Sequence, residues 1–235
     1  MALNFKYMNK LILSSLFTLI PFFSYATNAE VNFLETSDRV LEFVGNKGPE
    51  DFAKFSEIGE IAFLLANSQI YFHDVLFAGF LRIDGEDFLT KNIELLKDNN
   101  SQIAKFLFPK KQEEANSFAD LLTSYYFKGL EYGGALNQHE SQAVIDALLA
   151  QWFSLGSQVA KALNQYNPKV LKSKVINNIY ERLTIFEANM INKLFINDTT
   201  GAAVSYQNTR FLVTDELAPL LAKAKEENRE HRFPN

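Results

Sequence analysis

The chain has 235 residues, no cysteine, a formal net charge of −5 and 22 phenylalanines among its 47% hydrophobic residues. A single domain of that length buries roughly 70% of its unfolded surface, so it needs no disulfide or metal staple. The missing cysteines exclude thiol nucleophiles, zinc–thiolate sites, iron–sulfur clusters and a lipoprotein anchor. An acidic balance without a stripe of Lys and Arg excludes nucleic acid and an anionic membrane as natural partners.

Residues 1–26 read as a cleaved secretory signal. Lys6 and Lys10 form a positive leader, Leu11 to Phe23 an apolar run broken at Pro21, and Ser24-Tyr25-Ala26 a small-residue cleavage site. The run is too short for a stable membrane span. Cleavage after Ala26 predicts a periplasmic or secreted product, and translation starts at Met1 or Met8. Residues 27–49 form an irregular segment with one short helix near Asp38 to Phe43, and residues 50–235 a single domain.

That domain reads as long helices between clear stops, an all-α antiparallel bundle of about six, since 10 glycines and 6 prolines leave long uninterrupted stretches. The first helix covers about Glu60 to Ile83, with Ile61, Leu65, Phe72, Leu76 and Phe80 on one stripe and Ile70 and Phe77 beside it. So wide an apolar face suits a helix wrapped by its neighbours. Asp84-Gly85 ends it. A second helix runs from Glu86 to Phe106 on Leu89, Ile93, Leu96, Ile103 and Leu107, closed by Pro109. A third runs from Gln112 to Tyr132 on Phe118, Leu122, Tyr125 and Tyr132, stopping at Gly133-Gly134. The fourth, Ser141 to Tyr166, presents Val144, Leu148, Trp152, Leu155, Val159 and Leu163 before Asn167-Pro168. The fifth, Leu171 to Phe195, presents Ile176, Ile179, Leu183, Phe186, Met190 and Leu194. After the turn at Asn197–Gly201, a sixth element reaches about Lys225, kinked or split by Pro219. No stretch alternates with period two, so no sheet is expected.

A duplicated helix pair is visible as well. Ser101-Gln102-Ile103-Ala104-Lys105-Phe106-Leu107 recurs 56 residues later as Ser157-Gln158-Val159-Ala160-Lys161-Ala162-Leu163, and the same shift sets Leu130-Glu131 onto Phe186-Glu187. Such a repeat implies a bundle with pseudo-twofold symmetry.

Leu121-Leu122 with Glu131, Trp152 with Val159-Ala160 and Asn167-Pro168, and Tyr206, Leu212, Asp215 and Leu217 carry a resemblance. In these motifs the chain resembles an uncharacterised family of small bacterial helical-bundle proteins, some exported and some loosely labelled transferase or kinase. The resemblance implies the fold and an exported bacterial setting, and no activity. Members often carry histidines where this chain has Ser68 and Tyr125.

Candidate chemistry is sparse. No Glu-x-x-His pair of a di-iron bundle occurs, and neither a nucleophile elbow nor a phosphate loop is present. His139 lies in a loop beside Glu140, and His231 in a charged tail. His73 lies on the apolar side of the first helix, next to Asp74, where an imidazole binds, shuttles protons or serves as a hydrogen-bonded core residue. Glu131 and Glu187 are expected on solvated faces, which leaves them unsuited to acid–base work. Aromatic residues at helical spacing read first as core.

The leading expectation is a binding or structural module, monomeric or homodimeric, taking a small apolar ligand between its helices or docking a protein. His73, Asp74, Tyr125, Trp152 and Tyr206 are the candidate ligand-binding residues, with no catalytic residue, metal or cofactor assigned. Two alternatives stand beside it: an enzyme using His73 and Asp74 with an inward Tyr125 or Tyr206 for proton transfer, and a metal-binding bundle built on His73 and nearby acids.

Overall fold

The structure, a computed structural model, describes residues 49–81 and 86–230. Residues 1–26, expected to be a signal sequence, the segment before Pro49, the Asp84-Gly85 stop, the side chain of Phe80 and His231 lie outside the described residues. Seven α helices and one π-helical turn follow in order: α1 (Pro49–Leu81), α2 (Glu86–Leu107), α3 (Gln112–Asn137), α4 (Gln142–Tyr166), α5 (Ser173–Phe195), α6 (Thr199–Phe211), the π turn (Leu212–Leu217) and α7 (Ala218–Glu230). The last three form one unbroken helical run, so the described residues make six rods with no strand. From Lys54 onward they belong to one compact unit.

The rods alternate in direction. Between α2 and α3, Phe108 meets Phe118, Asn100 meets Thr123 and Lys97 lies over Phe127, so partners move apart along the chain and the helices run antiparallel. Between α1 and α3, Gln69 bonds Tyr126 while Phe72, three residues later, approaches Gly129, so these two run parallel.

α1 is the central rod. Ile61, Leu64, Leu65, Phe72, Val75 and Leu76 are buried on it, together with Ser68, Gln69 and His73. Side chains of α1 touch α2, α3, α4, α5, α6 and α7. Its stretch Ser56–Gly79 is long and apolar enough to cross a membrane, and 56% of its most apolar 18 residues are buried against the other rods.

Two helix limits differ from the sequence expectation. α1 begins at Pro49, well before Glu60, because proline's fixed φ suits a first helical position and the apolar pattern starts only later. α3 runs through Gly133-Gly134 to Asn137, since Tyr132, Ala135 and Leu136 are buried and their packing outweighs the glycine penalty of about 1 kcal/mol per residue. What ends α3 is His139, at φ 55°, which lets Glu140 N–H reach Ala135 O at 3.0 Å. Val144, expected on the buried face of α4, is 40% exposed, and no residue of that helix before Trp152 is buried.

The chain tightens where Asn167 closes α4. Its Oδ1 accepts from Val170 N–H at 3.1 Å, while its Nδ2 donates to Ala224 O at 3.2 Å and Asn228 Oδ1 at 3.1 Å. Asn228 Nδ2 in turn donates to Tyr166 O, so α7 is bonded to the end of α4. Pro219 does not split the last rod, which is helical without a break from Thr199 to Glu230. The π turn just before it widens the helix, with Ala218 N–H donating to Val213 O, and this relieves the clash a proline makes with the carbonyl four residues back. Arg182 on α5 holds the π turn through both oxygens of Glu216, at 2.8 and 2.9 Å.

The duplication survives in burial, with a change of register. α2 and α4 begin at the same shift of 56, and Leu96, Ile103, Ala104 and Leu107 are buried at the places of Trp152, Val159, Ala160 and Leu163. α4 is three residues longer than α2 and the turn after it two residues longer, so α5 begins 61 residues after α3 and the shift of 56 is not kept by the second helix of the pair. At a shift of 58, Phe118, Leu122, Tyr126 and Tyr132 match the buried Ile176, Tyr180, Thr184 and Met190. In this register Glu187 corresponds to Gly129, and the pairing of Glu131 with Glu187 is lost.

Candidate functional site

Polar side chains line the inward face of α1 in successive turns, and each finds its partner on a different helix. Ser68 Oγ donates to Asn100 Oδ1 at 2.9 Å, and Asn99 Nδ2 donates to Leu64 O at 2.6 Å and Ser68 Oγ at 2.8 Å, which joins α1 to α2. One position on, Gln69 Nε2 donates to the Tyr126 hydroxyl of α3 at 2.9 Å. A turn later, His73 Nε2 lies 2.8 Å from Glu187 Oε2 of α5, with His73 4% exposed and Glu187 0%. The contact uses Nε2 and leaves Nδ1 buried without a partner in the protein.

Rings enclose this seam. Phe72 sits between His73, Tyr126 and Trp152, with centroids 5.4, 5.4 and 6.1 Å away. Tyr125 packs against Tyr126, Tyr180 and Trp152 at 5.3, 5.8 and 5.9 Å. Tyr206 of α6 presents its edge to the His73 ring at 4.8 Å. Thr184 donates to Tyr180 O within its own helix, which leaves its oxygen to accept from the Tyr125 hydroxyl at 3.1 Å.

The five candidate residues therefore gather around one stretch of α1: His73 and Tyr206 touch directly, and Tyr125 and Trp152 connect to them through Phe72. Asp74 is half-buried beside them, and burial raises its carboxyl above the ordinary range while His73 opposes the shift. Burial pushes the Tyr125 and Tyr126 phenols well above their usual range, and the negative Glu187 adds to both shifts. For Tyr206, burial raises the phenol, Arg210 opposes, and Glu187 and Asp74 reinforce.

Glu187 is the residue the sequence reading misplaced. It is fully buried, contrary to the solvated face expected for it, whereas Glu131 does lie on the surface, paired with Lys128. The signal was present in the spacing: Leu183 and Ile191 lie four residues to either side of Glu187 and Thr184 lies three before it, all buried on one helical face. Ser68, Gln69, Asn99 and Asn100 were missed for the same reason, because polarity was read as exposure.

Five buried polar atoms here have no hydrogen-bond partner in the protein: Gln69 Oε1, His73 Nδ1, Trp152 Nε1, Glu187 Oε1 and Thr209 Oγ1. They come from α1, α4, α5 and α6, the helices that surround the His73–Glu187 contact. No group of three His, Cys, Asp or Glu side chains converges among the described residues, so the metal-binding alternative has no ligand set there. Three open grooves lie elsewhere, the largest about 810 Å³ near Phe108, Phe118 and Tyr166, and none is lined by a candidate residue.

Together the fold and these side chains make an all-α bundle with a buried polar cluster walled by aromatic rings. Compared with known proteins, the chain matches no family model, no curated protein and no solved structure.

Proposed function

We propose that this is an exported bacterial binding module that holds a small molecule inside its bundle, at His73, Glu187 and Tyr206 with Tyr125 and Trp152 behind them. Export is supported by the composition of residues 1–26, and the interior site by the unpartnered polar atoms. Native interiors satisfy nearly all their polar groups, and each one left unpaired costs about 1–3 kcal/mol. A guest that pairs with several of them is favoured by that margin. Sites of this kind are built from side chains on facing helices, as these are.

The test is native mass spectrometry of the mature protein, followed by a ligand screen read by melting temperature. A small molecule bound one to one, or a ligand that raises the melting temperature in wild type and not in His73→Ala, is the expected result. A panel of small polar and aromatic compounds without a single such response would overturn the reading.

One observation favours a second reading. Glu187 orients the imidazole and leaves Nδ1 unpartnered, the arrangement of a general base. Proton transfer then requires a substrate to reach Nδ1 past Tyr206, and His73 is only 4% exposed. Binding therefore comes first in either case.

A further inference from the structure

Two helices meet the His73 ring, α5 through Glu187 and α6 through Tyr206. They are held very differently. α5 buries Ile176, Ile179, Tyr180, Leu183, Met190 and Ile191, whereas the 13 residues of α6 bury only Ala202 and Thr209, both small. Its large apolar side chains lie at the surface, Val204 53% and Phe211 56% exposed. Among the described residues no side-chain hydrogen bond or ion pair ties α6 to another helix. Its polar contacts stay local, with Gly201 N–H donating to Asp198 and Thr214 Oγ1 to Arg210 O. A segment with few buried apolar contacts belongs to the low-stability end of a fold. Thr209 Oγ1 adds to this, because it is buried without a partner and regains water when α6 moves outward.

Both ends of α6 are jointed. Before it, the turn between Phe195 and Thr199 holds Asn197 at φ 60° and leaves Ile196 64% exposed. After it, the π turn interrupts the α-helical ladder, as such turns do at hinges and functional sites. That second joint is itself anchored, since Leu212, Val213 and Leu217 are buried and Arg182 grips Glu216. Motion of α6 therefore ends at the π turn, and α7 keeps its bonds to Asn167.

We propose that α6 is a lid, which swings away from α1 between the Asn197 turn and the π turn, carries Tyr206 off the His73 ring and opens the His73–Glu187 contact to solvent. Phe72, Tyr125 and Trp152, all 0% exposed, stay packed on one another behind it, so the entrance leads to His73 and Glu187. Lids of this kind gate many binding sites. The lid rests on the interior-binding reading for its purpose and gives a 4%-exposed His73 its entrance, while the motion itself is measured without any ligand.

The chain has no cysteine, so an introduced one is the only thiol. The thiol of Thr209→Cys should react with an aromatic disulfide reagent at least about tenfold faster than that of Thr184→Cys, which replaces an equally buried threonine on α5. Low urea should hardly change the rate at position 209, because local opening exposes little surface, and should raise the rate at position 184 steeply. Amide exchange of the unaltered protein controls for loosening by the substitution: α6 amides should exchange faster than those of α5 and α7. Where the two measurements disagree, amide exchange decides. Equal thiol rates with one urea dependence, or α6 amides that exchange only together with α5 and α7, overturn the lid. A compound found by the melting-temperature screen should slow labelling at position 209, and an unchanged rate overturns the link between lid and site. An opening α6 with no ligand found leaves the lid standing and sinks the binding reading alone. A ligand that binds while α6 stays shut does the reverse.

Discussion

Gly129 shows how closely the core is fitted at the residue scale. A Cβ there would lie 2.5 Å from Cζ2 of Trp152 and 2.8 Å from Cζ of Phe72, both on buried rings that cannot swing aside. Gly129→Ala is therefore expected to cost about 1–3 kcal/mol in chemical denaturation. The His73–Glu187 pair makes a second residue-level prediction. Removing one partner leaves the other buried without its hydrogen bond, so His73→Phe and Glu187→Leu should each destabilise by about 1–3 kcal/mol. The double variant should recover part of that loss, and strictly additive values would show that the two side chains do not interact. Asp74 gives a pH dependence. Its carboxyl is raised above the ordinary 3.8, so the fold disfavours the ionised form. The stability linked to Asp74 is full below that value and is lost as pH rises through the raised one. Asp74→Asn should raise the melting temperature at neutral pH, with the gain vanishing in acid. A gain that persists unchanged at pH 3 would contradict this.

At the scale of elements, the ends of the helices decide which rods meet. Asn167 both closes α4 and bonds α7 through Ala224 and Asn228. Asn167→Ala should cost about 1–3 kcal/mol, and amide exchange should show α7 opening before the rest of the bundle. Protection lost equally in all helices would mean that α7 is held by other contacts. Much of this level was legible in the sequence, because helix stops such as Asn167-Pro168 and Pro109 are local chemistry. Gly133-Gly134 misled because the packing of Tyr132 and Leu136 keeps a helix going through residues that disfavour one. The place of Glu187 was hidden for a different reason. Sequence pattern sorts residues by polarity, and a buried acid is recognised only once its partner, here His73, is known to lie across from it. His73, Trp152 and Tyr125 were read as inward-facing from apolar spacing, and all three are buried. What spacing could not show is that Ser68, Gln69 and Glu187 share the same interior.

For the whole molecule, the tyrosines offer a global readout. Burial raises the phenols of Tyr125, Tyr126, Tyr132, Tyr180 and Tyr206 above their ordinary value of 10.0. Their contribution to stability is complete below that value and is lost as pH rises through the folded-state values. In an alkaline titration these five should ionise together with the loss of helix, in one cooperative step. Ultraviolet absorbance of tyrosinate and circular dichroism should therefore change at the same pH, and ionisation that precedes the loss of helix would show the phenols to be accessible. The central position of α1 has a further consequence during synthesis. Among the described helices it emerges first, yet the rods that cover it follow, and the most apolar 18 residues of its Ser56–Gly79 stretch have a mean hydropathy of 1.3. Charged and polar side chains in such a stretch oppose entry into a bilayer. Asp74, with the polar Ser68, Gln69 and His73 on the same stretch, supplies that opposition until the partner rods are made.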